Sequence, residues 1–296
     1  MTRTQATGIG AIAILLWALL ALFTTLAGDI PPFQLTAMAF GVSSVIALAR
    51  WVLKPSRAAN LRQPLPVWAL GVGGLFGYHF LYFTALQAAP PVEASLIAYL
   101  WPLLIVVFSA LLPGEQLRWY HVAGAVLGFA GAAMIVTDGG SVTFKGQYAF
   151  GYIIALLASL TWSGYSVLSR KFAHVSTEVV SGFCIVTACL AALCHTALET
   201  TMWPTTWVQW SAVLALGLGP VGLAFFAWDF GVKRGDIQVL GAASYSAPLL
   251  STLVLLAVGL ADPSWAIAMA CVAITAGAVV ASKDMLFTKK EVHPRL

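Results

Sequence analysis

Runs of about 20 apolar residues constrain the fold of this chain more than any motif does. An α-helix rises about 1.5 Å per residue, so about 20 residues cross a bilayer core about 30 Å thick. Ten such runs fall at approximately residues 7–27, 33–54, 66–87, 91–112, 119–137, 148–169, 178–199, 207–230, 237–258 and 265–283. The sequence therefore predicts an all-α integral membrane protein with ten transmembrane helices.

Composition excludes most other classes of protein. Hydrophobic residues make up 60% of the chain and charged residues 9%, which leaves too few polar side chains to cover a water-exposed surface of this size. Lys and Arg lie in short clusters between the apolar runs, so a nucleic-acid partner is excluded together with a soluble enzyme. The predicted partner is the lipid bilayer, and no obligatory protein partner is evident.

The chain carries no convincing catalytic or metal-binding pattern. HExxH, a catalytic carboxylate pair and a Ser/His dyad are not found, and Gly41-Val42-Ser43 is a match at chance level. Three of the four cysteines, Cys184, Cys189 and Cys194, lie at steps of five in one apolar run, a spacing that indicates neither a disulfide framework nor a metal site. We therefore expect no enzyme activity, no metal and no cofactor.

Basic residues are placed on one side of the predicted topology. With ten crossings and the N-terminus inside, fourteen of the 15 Lys and Arg residues fall in cytoplasmic segments, and Lys145 alone falls outside. The cytoplasmic set is Arg3, Arg50, Lys54, Arg57, Arg62, Arg118, Arg170, Lys171, Lys233, Arg234, Lys283, Lys289, Lys290 and Arg295. Cytoplasmic loops are enriched in such residues, so both termini are predicted to be cytoplasmic.

The chain repeats itself at a spacing of 146 residues. The matched pairs are Tyr99 and Tyr245, Pro102 and Pro248, Trp119 and Trp265, and Gly131-Ala132 and Gly277-Ala278. This pattern predicts two five-helix repeats, over residues 1–140 and 141–296. Because five is odd, the second repeat is inverted relative to the first, an arrangement typical of carriers that work by alternating access; a passive channel does not need it.

Aromatic and polar side chains near mid-membrane form the candidate substrate site. They are Trp17, Tyr78, His79, Tyr82, Tyr99, Trp101, Trp162, Tyr165, Ser244 and Tyr245. As a set they predict a central aromatic-lined cavity, and the alternative is that each phenol hydrogen-bonds a neighbouring carbonyl in a packed bundle. Seven other tryptophans fall at the ends of runs, where an aromatic belt anchors helices: Trp51, Trp68, Trp119, Trp203, Trp207, Trp210 and Trp265.

Few ionisable residues lie inside the runs. His79 is the one plainly ionisable side chain near mid-membrane, and because imidazole titrates near neutral pH it suits either a hydrogen-bonding or a proton-coupled role. Asp229 lies four residues before Lys233, which predicts a local interfacial ion pair. Glu93 opens the fourth helix, where a carboxylate interacts favourably with the helix N-terminus.

Two prolines are candidate hinges. Pro102 and Pro248 lie inside predicted helices, and each removes one hydrogen bond and frees the carbonyl four residues earlier, at Ala98 or Ser244. Neighbouring side chains, water or a substrate ammonium could satisfy these carbonyls, and the kinks could let the helices flex.

The third to fifth runs resemble the EamA-type members of the drug/metabolite transporter superfamily. The motifs that carry the resemblance are Tyr82-Phe83-Thr84-Ala85-Leu86, Ala94-Ser95-Leu96-Ile97 before Pro102-Leu103, Gly114-Glu115, and Gly124 through Gly131-Ala132. The resemblance implies export of a small molecule across the bacterial inner membrane. The second repeat departs from it, because Leu260-Ala261 stands where Gly114-Glu115 stands in the first.

Within that superfamily the N-terminal segment and the aromatic cluster resemble exporters of aromatic amino acids. The expected cargo is therefore phenylalanine, tyrosine and tryptophan, with broad selectivity. The absence of a mid-membrane Arg or Lys argues against sugar phosphates and nucleotide sugars. Cationic drugs or other small metabolites are the alternative cargo, since aromatic rings also attract cations.

Overall fold

A computed structural model describes residues 1–281 and 283, and every regular element in that part of the chain is helical. Nine helices of the described residues are long and apolar enough to cross a membrane: α1 (Arg3–Ala27), α2 (Pro32–Leu53), α3 (Leu65–Ala88), α4 (Pro91–Leu111), α5 (Trp119–Val136), α6 (Gly146–Phe172), α7 (Thr177–Leu198), α8 (Trp207–Arg234) and α9 (Ile237–Ala257). A shorter apolar helix, α10 (Trp265–Ala281), follows. Their number and order confirm the all-helical prediction for the described residues. The predicted cytoplasmic cations Lys289, Lys290 and Arg295 lie outside them.

Proline and capping residues set several helix starts. Pro32 and Pro91 lie in the first turn of their helices, where a backbone N–H has no intrahelical partner and its loss costs nothing. Thr206 and Gln209 form a reciprocal capping box at the start of α8. Glu93 lies in the first turn of α4, but the residue before this turn makes no side-chain cap bond.

The carboxylate of Glu199, the residue that follows α7, closes the start of α2. The Glu199 oxygens accept hydrogen bonds from the backbone N–H groups of Phe33 at 2.9 Å and Gln34 at 3.0 Å. His195 Nδ1 lies 2.9 Å from the same carboxylate. Two unpaired donors of the helix N-terminus are thereby satisfied. We call this end of the bundle the Phe33 end and the opposite one, where α1 begins, the Arg3 end.

Five of the helices contain an interior irregularity. A π-helical segment interrupts α3 at Gly73–Gly77 and α8 at Gly219–Leu223. The α-helical path is broken in α1 after Trp17, in α4 between Ala98 and Trp101, and in α9 between Ala243 and Ser246. Several boundaries recur at the spacing of 146 residues: Tyr78–Ala88 with Ala224–Arg234, the two π segments with each other, and the starts of α4 and α5 with those of α9 and α10. The start of α1 at Arg3 likewise matches Ala149, where the α-helical part of α6 begins.

The end tryptophans divide into two groups. Trp119, Trp207 and Trp265 are exposed, with fractions of 73%, 87% and 78%, as membrane anchors should be. Trp68 instead packs edge-on against Phe183 at 5.5 Å. Trp68 is half-buried there, because the α7 face beside it carries Gly182 and leaves room for the indole ring.

Small residues bring α5 and α10 into direct backbone contact. A Cβ atom added to Gly277 would lie 2.6 Å from the Gly124 carbonyl oxygen and 2.9 Å from the Gly128 nitrogen. Glycine at this crossing lets the two helices approach closely, which is how helices associate in lipid, where a hydrophobic driving force between them is absent.

We expect Gly277→Ala to destabilise the bundle. The added methyl group has to push the two backbones apart, which costs about 1–3 kcal/mol and lowers the melting temperature of the protein in detergent. Gly41→Ala is the matched control, because a Cβ at Gly41 meets no atom within 4 Å. Equal melting temperatures for both variants would contradict the close crossing.

Candidate functional site

Four tryptophans from four helices meet inside the bundle. Trp17 of α1, Trp101 of α4, Trp162 of α6 and Trp228 of α8 form what we call the tryptophan cluster. All six pairs of rings are in contact, with centroid distances from 5.1 to 6.3 Å. Such contacts stabilise a packed aromatic group beyond the burial of its area.

Polar partners fix the orientation of two of these indoles. Trp17 Nε1 donates to the carbonyl of Pro220 at 3.1 Å, inside the π segment of α8. Trp228 Nε1 donates to Ser166 Oγ of α6 at 3.0 Å. A buried indole N–H needs such an acceptor, so the π segment supplies part of the site.

A polar aromatic layer from α3 lies against the tryptophan cluster. Tyr78 and Tyr82, one turn apart, stack with an interplanar angle of 4° at 5.9 Å, and Tyr78 also contacts Trp162 at 5.6 Å. The Tyr82 hydroxyl lies 3.2 Å from Ser95 Oγ of α4. These two tyrosines are half-buried, unlike the fully buried Trp228, so they are the more accessible part of the site.

His79 is held in one ring orientation and leaves one nitrogen available. Its Nδ1 lies 2.7 Å from the carbonyl of Leu75. A carbonyl only accepts, so Nδ1 carries the hydrogen. The ring packs between Phe40 at 5.5 Å and Phe225 at 6.3 Å. Nε2 makes no hydrogen bond within the described residues, and in the neutral imidazole it is an acceptor.

The structure brings most of the predicted residues together and separates two. Ring contacts join Trp17, Tyr78, His79, Tyr82, Trp101, Trp162 and Tyr165. Tyr99 is half-buried at the break in α4. Ser244 and Tyr245, by contrast, are fully buried at the break in α9, where the Tyr245 ring packs on Phe129 of α5 at 6.0 Å.

Both candidate hinges follow real breaks in their helices. Pro102 lies in the first turn of the second segment of α4, and Pro248 lies two residues into the second segment of α9. The Ser244 carbonyl that Pro248 leaves without its helical donor accepts a hydrogen bond from the backbone N–H of Ala247 at 3.1 Å. That carbonyl is thus satisfied by the backbone.

Sequence reasoning missed three aromatic members of the site. Trp228, Phe225 and Phe40 are buried in the same apolar cluster as Trp101 and Trp162. A signal for two of them was present, because the spacing of 146 residues places Trp228 on Tyr82 and Phe225 on His79. Phe40 had no such signal, since one phenylalanine in an apolar helix does not indicate which way it faces.

An ion-pair network closes the Arg3 end of the bundle. Arg3 contacts the carboxylates of Glu115 at 2.8 Å and Asp236 at 3.1 Å, and Arg170 contacts Glu115 at 3.1 Å. Thr7 Oγ1 accepts the backbone N–H of Asp236 at 2.8 Å. The network joins the start of α1 to the α4–α5 loop, the end of α6 and the α8–α9 turn, and gives the Glu of the Gly-Glu motif a structural partner.

The predicted pair of Asp229 and Lys233 forms, at 2.9 Å, but it is buried and not interfacial. The two side chains are 2% and 4% exposed. Thr177 Oγ1 donates to the same carboxylate oxygen at 2.7 Å, and Lys233 also donates to the Val175 carbonyl at 3.3 Å. The interfacial placement was wrong because α8 continues to Arg234, and Thr177 at the start of α7 and Val175 just before it cover the pair.

Comparison with known proteins agrees with this architecture. The pattern of the EamA-like transporter family matches residues 6–137 and again residues 149–283. The chain is 54% identical over 283 residues to the aromatic amino acid exporter YddG of Ancylobacter novellus, covering 95% of this chain and 98% of that protein. It is 24% identical to the exporter of the same name from Salmonella typhimurium, over 85% of this chain and 88% of that protein.

More distant and structural similarities point the same way. A biotin transporter of Salmonella typhimurium is 25% identical over 96% of this chain and 93% of its own. A crystal structure superposes with a TM-score of 0.90 at 53% identity, covering 95% of this chain and 98% of the other. The fold and the relatives define a multi-pass transporter of the bacterial inner membrane. The chain belongs to the EamA-like transporter family.

We expect Asp229→Asn to destabilise the protein strongly. The substitution leaves the Lys233 ammonium buried without its counter-charge, which costs about 3–5 kcal/mol, and the melting temperature in detergent reports the loss. The double variant Asp229→Asn with Lys233→Met should recover part of the stability. As control, Arg50→Gln breaks the Arg50–Glu178 contact, in which Arg50 is 38% exposed, and should cost less than about 1 kcal/mol.

A buried pair is contradicted if the double variant is no more stable than Asp229→Asn alone, or if Arg50→Gln has the same effect as Asp229→Asn.

Proposed function

We propose that the protein exports aromatic amino acids, with broad selectivity, through the aromatic site described above. The observation that carries the proposal is the layer of half-buried Tyr78, His79 and Tyr82 on the tryptophan cluster. This layer offers ring faces and hydrogen-bonding groups to a zwitterion that bears an aromatic side chain. The 54% identity to a protein named aromatic amino acid exporter supports the cargo.

Each part of the substrate has a partner of matching chemistry. The aromatic side chain stacks on Tyr78 and Trp17, which are both half-buried. The ammonium group donates to His79 Nε2 and to tyrosine hydroxyls. The carboxylate meets no Lys or Arg among the described residues of this layer, so binding is weak and broad, as suits an exporter that must release its cargo.

We also propose that residues 1–140 and 141–296 are two inverted five-helix repeats. Three observations support this: the family pattern matches twice, helix boundaries recur at the spacing of 146 residues, and a π segment lies at the same place in α3 and α8. An odd number of helices per repeat turns the second upside down relative to the first, which is the symmetry used in alternating access.

The Arg3 end is assigned to the cytoplasm, with both termini on that side. The excess of basic residues in the segments at this end supports the assignment. The ion-pair network then closes the cytoplasmic side.

Counterflow in proteoliposomes tests the function. Uptake of labelled phenylalanine into vesicles preloaded with unlabelled phenylalanine, at equal pH and without a voltage, should exceed uptake by empty liposomes. His79→Ala and Trp101→Ala should each lower the rate about tenfold, because the first removes the acceptor for the ammonium group and the second removes ring packing that orients Trp17, each worth about 1–1.5 kcal/mol. Trp207→Ala, at an 87% exposed anchor, should transport like the wild type.

If both site variants are folded and transport at the wild-type rate, the proposed site is wrong. If the folded wild-type protein shows no counterflow, the cargo is a different molecule or transport requires a coupled ion.

A second cargo class, cationic drugs, is favoured by the ring faces of the site and its lack of described cationic side chains. Tetraphenylphosphonium distinguishes the two. For an amino acid carrier we expect an excess of this cation to leave phenylalanine counterflow nearly unchanged, whereas competitive inhibition at micromolar concentration would favour the drug exporter.

A further inference from the structure

One hydrogen bond links the two broken helices. The backbone N–H of Leu103, in the first turn after the break in α4, donates to the hydroxyl of Tyr245 at 3.1 Å. In a continuous helix this N–H would donate to the Tyr99 carbonyl, four residues earlier. Because a backbone donor inside the bilayer must find a partner within the protein, Tyr245 acts as a cap for the second segment of α4.

The residues of this contact have counterparts that are arranged differently. At the spacing of 146 residues, Tyr99 corresponds to Tyr245 and Leu103 to Leu249. Tyr245 is 0% exposed, whereas Tyr99 is half-buried. The described residues contain no hydrogen bond between the Tyr99 hydroxyl and the N–H of Leu249. One tyrosine of the pair is therefore engaged as a cap, and the other is half-buried at the break in α4, two residues before Trp101 of the tryptophan cluster.

Glycine makes room for the engaged tyrosine on one side only. A Cβ atom added to Gly128 of α5 would lie 2.6 Å from Cδ2 of Tyr245, so the ring lies directly on the glycine backbone. The counterpart of Gly128 is Ile274 of α10, which leaves less space for a second ring. This difference favours the conformation in which Tyr245 is buried.

We propose that Tyr245 and Tyr99 are a pair of positioning residues that exchange roles during transport. When the cytoplasmic side is closed, Tyr245 caps the N–H of Leu103 and Tyr99 borders the site. When the outer side is closed, Tyr99 caps the N–H of Leu249 and Tyr245 borders the site. The exchange rests on the inverted repeat proposed above. It follows from the symmetry, because a conformation and its inverted counterpart interchange the environments of matched residues.

Phenylalanine substitutions separate the two hydroxyls from the rings. Tyr245→Phe removes the cap that exists in the cytoplasm-closed conformation, so this conformation loses population. Tyr99→Phe removes the cap of the opposite conformation, so the cytoplasm-closed state gains population. One net hydrogen bond corresponds to a shift of about three- to tenfold.

The test follows a reporter at the Arg3 end. Ala6 is 2% exposed, and in a variant without the four native cysteines, Ala6→Cys is alkylated by a maleimide only when this end opens. In proteoliposomes without any substrate, Tyr245→Phe should raise the alkylation rate about three- to tenfold, and Tyr99→Phe should lower it. Tyr152→Phe is the control, since its hydroxyl accepts a backbone N–H outside the site, from Lys145 at 3.4 Å, and should leave the rate unchanged.

The exchange is overturned if both variants shift the rate in the same direction or if neither shifts it. If Tyr245→Phe does not give monodisperse protein, Tyr99→Phe alone is the test. An alkylation rate of Tyr99→Phe that is equal to or higher than that of the parent protein contradicts the exchange. The alkylation experiment contains no cargo, so it is independent of the proposed substrate. If phenylalanine counterflow fails but the two variants shift the alkylation rate in opposite directions, the proposed cargo is rejected and the proposed exchange is retained.

Discussion

Inside a bilayer every backbone N–H and C=O has to be satisfied within the protein, and the irregular parts of this bundle depend on that constraint. Where a helix contains a π segment or a break, a side chain or a neighbouring backbone group forms a hydrogen bond with the backbone group that has lost its helical partner. The Pro220 carbonyl in the π segment of α8 accepts the indole N–H of Trp17, and the Tyr245 hydroxyl accepts the N–H of Leu103 beyond the break in α4. The irregular segments therefore orient two aromatic side chains, Trp17 inside the tryptophan cluster and Tyr245 outside it.

The cost of burying unpaired polar groups also governs where charged side chains lie. The site itself relies on ring faces, one imidazole and hydroxyl groups, whereas carboxylates and cations meet in defined pairs toward the Arg3 end. The buried pair of Asp229 and Lys233 begins one residue beyond Trp228, near the end of the helix that brings this ring into the tryptophan cluster. The network of Arg3, Glu115, Arg170 and Asp236 holds four segments of the chain together at one end. Glu115 has no acidic counterpart, since Ala261 stands at the matched position, so the two ends of the bundle are stabilised unequally.

Weak, ring-based recognition agrees with transport better than with tight binding. A carrier that cycles has to release its cargo, and a site without a fixed cation for the carboxylate favours release. Membership in the EamA-like transporter family and the proposed roles of the aromatic layer therefore agree with each other, although one comes from the whole chain and the other from a few side chains.

Hydrophobicity along the chain determined the number, order and approximate bounds of the ten helices, because about 20 apolar residues in a row satisfy one crossing whatever their neighbours are. The same sequence indicated the aromatic residues near mid-membrane, seven of which are linked by ring contacts. It did not determine which helix faces meet. Trp228 joins the tryptophan cluster and Tyr245 lies outside it, although the pattern assigned Tyr245 to the site and left Trp228 unassigned. Burial of Asp229 and Lys233 likewise required the segment before α7 to cover them. Such outcomes depend on the rotation of each helix about its axis, which close packing at glycines such as Gly128 and Gly277 fixes, and this packing exists only once the helices have assembled.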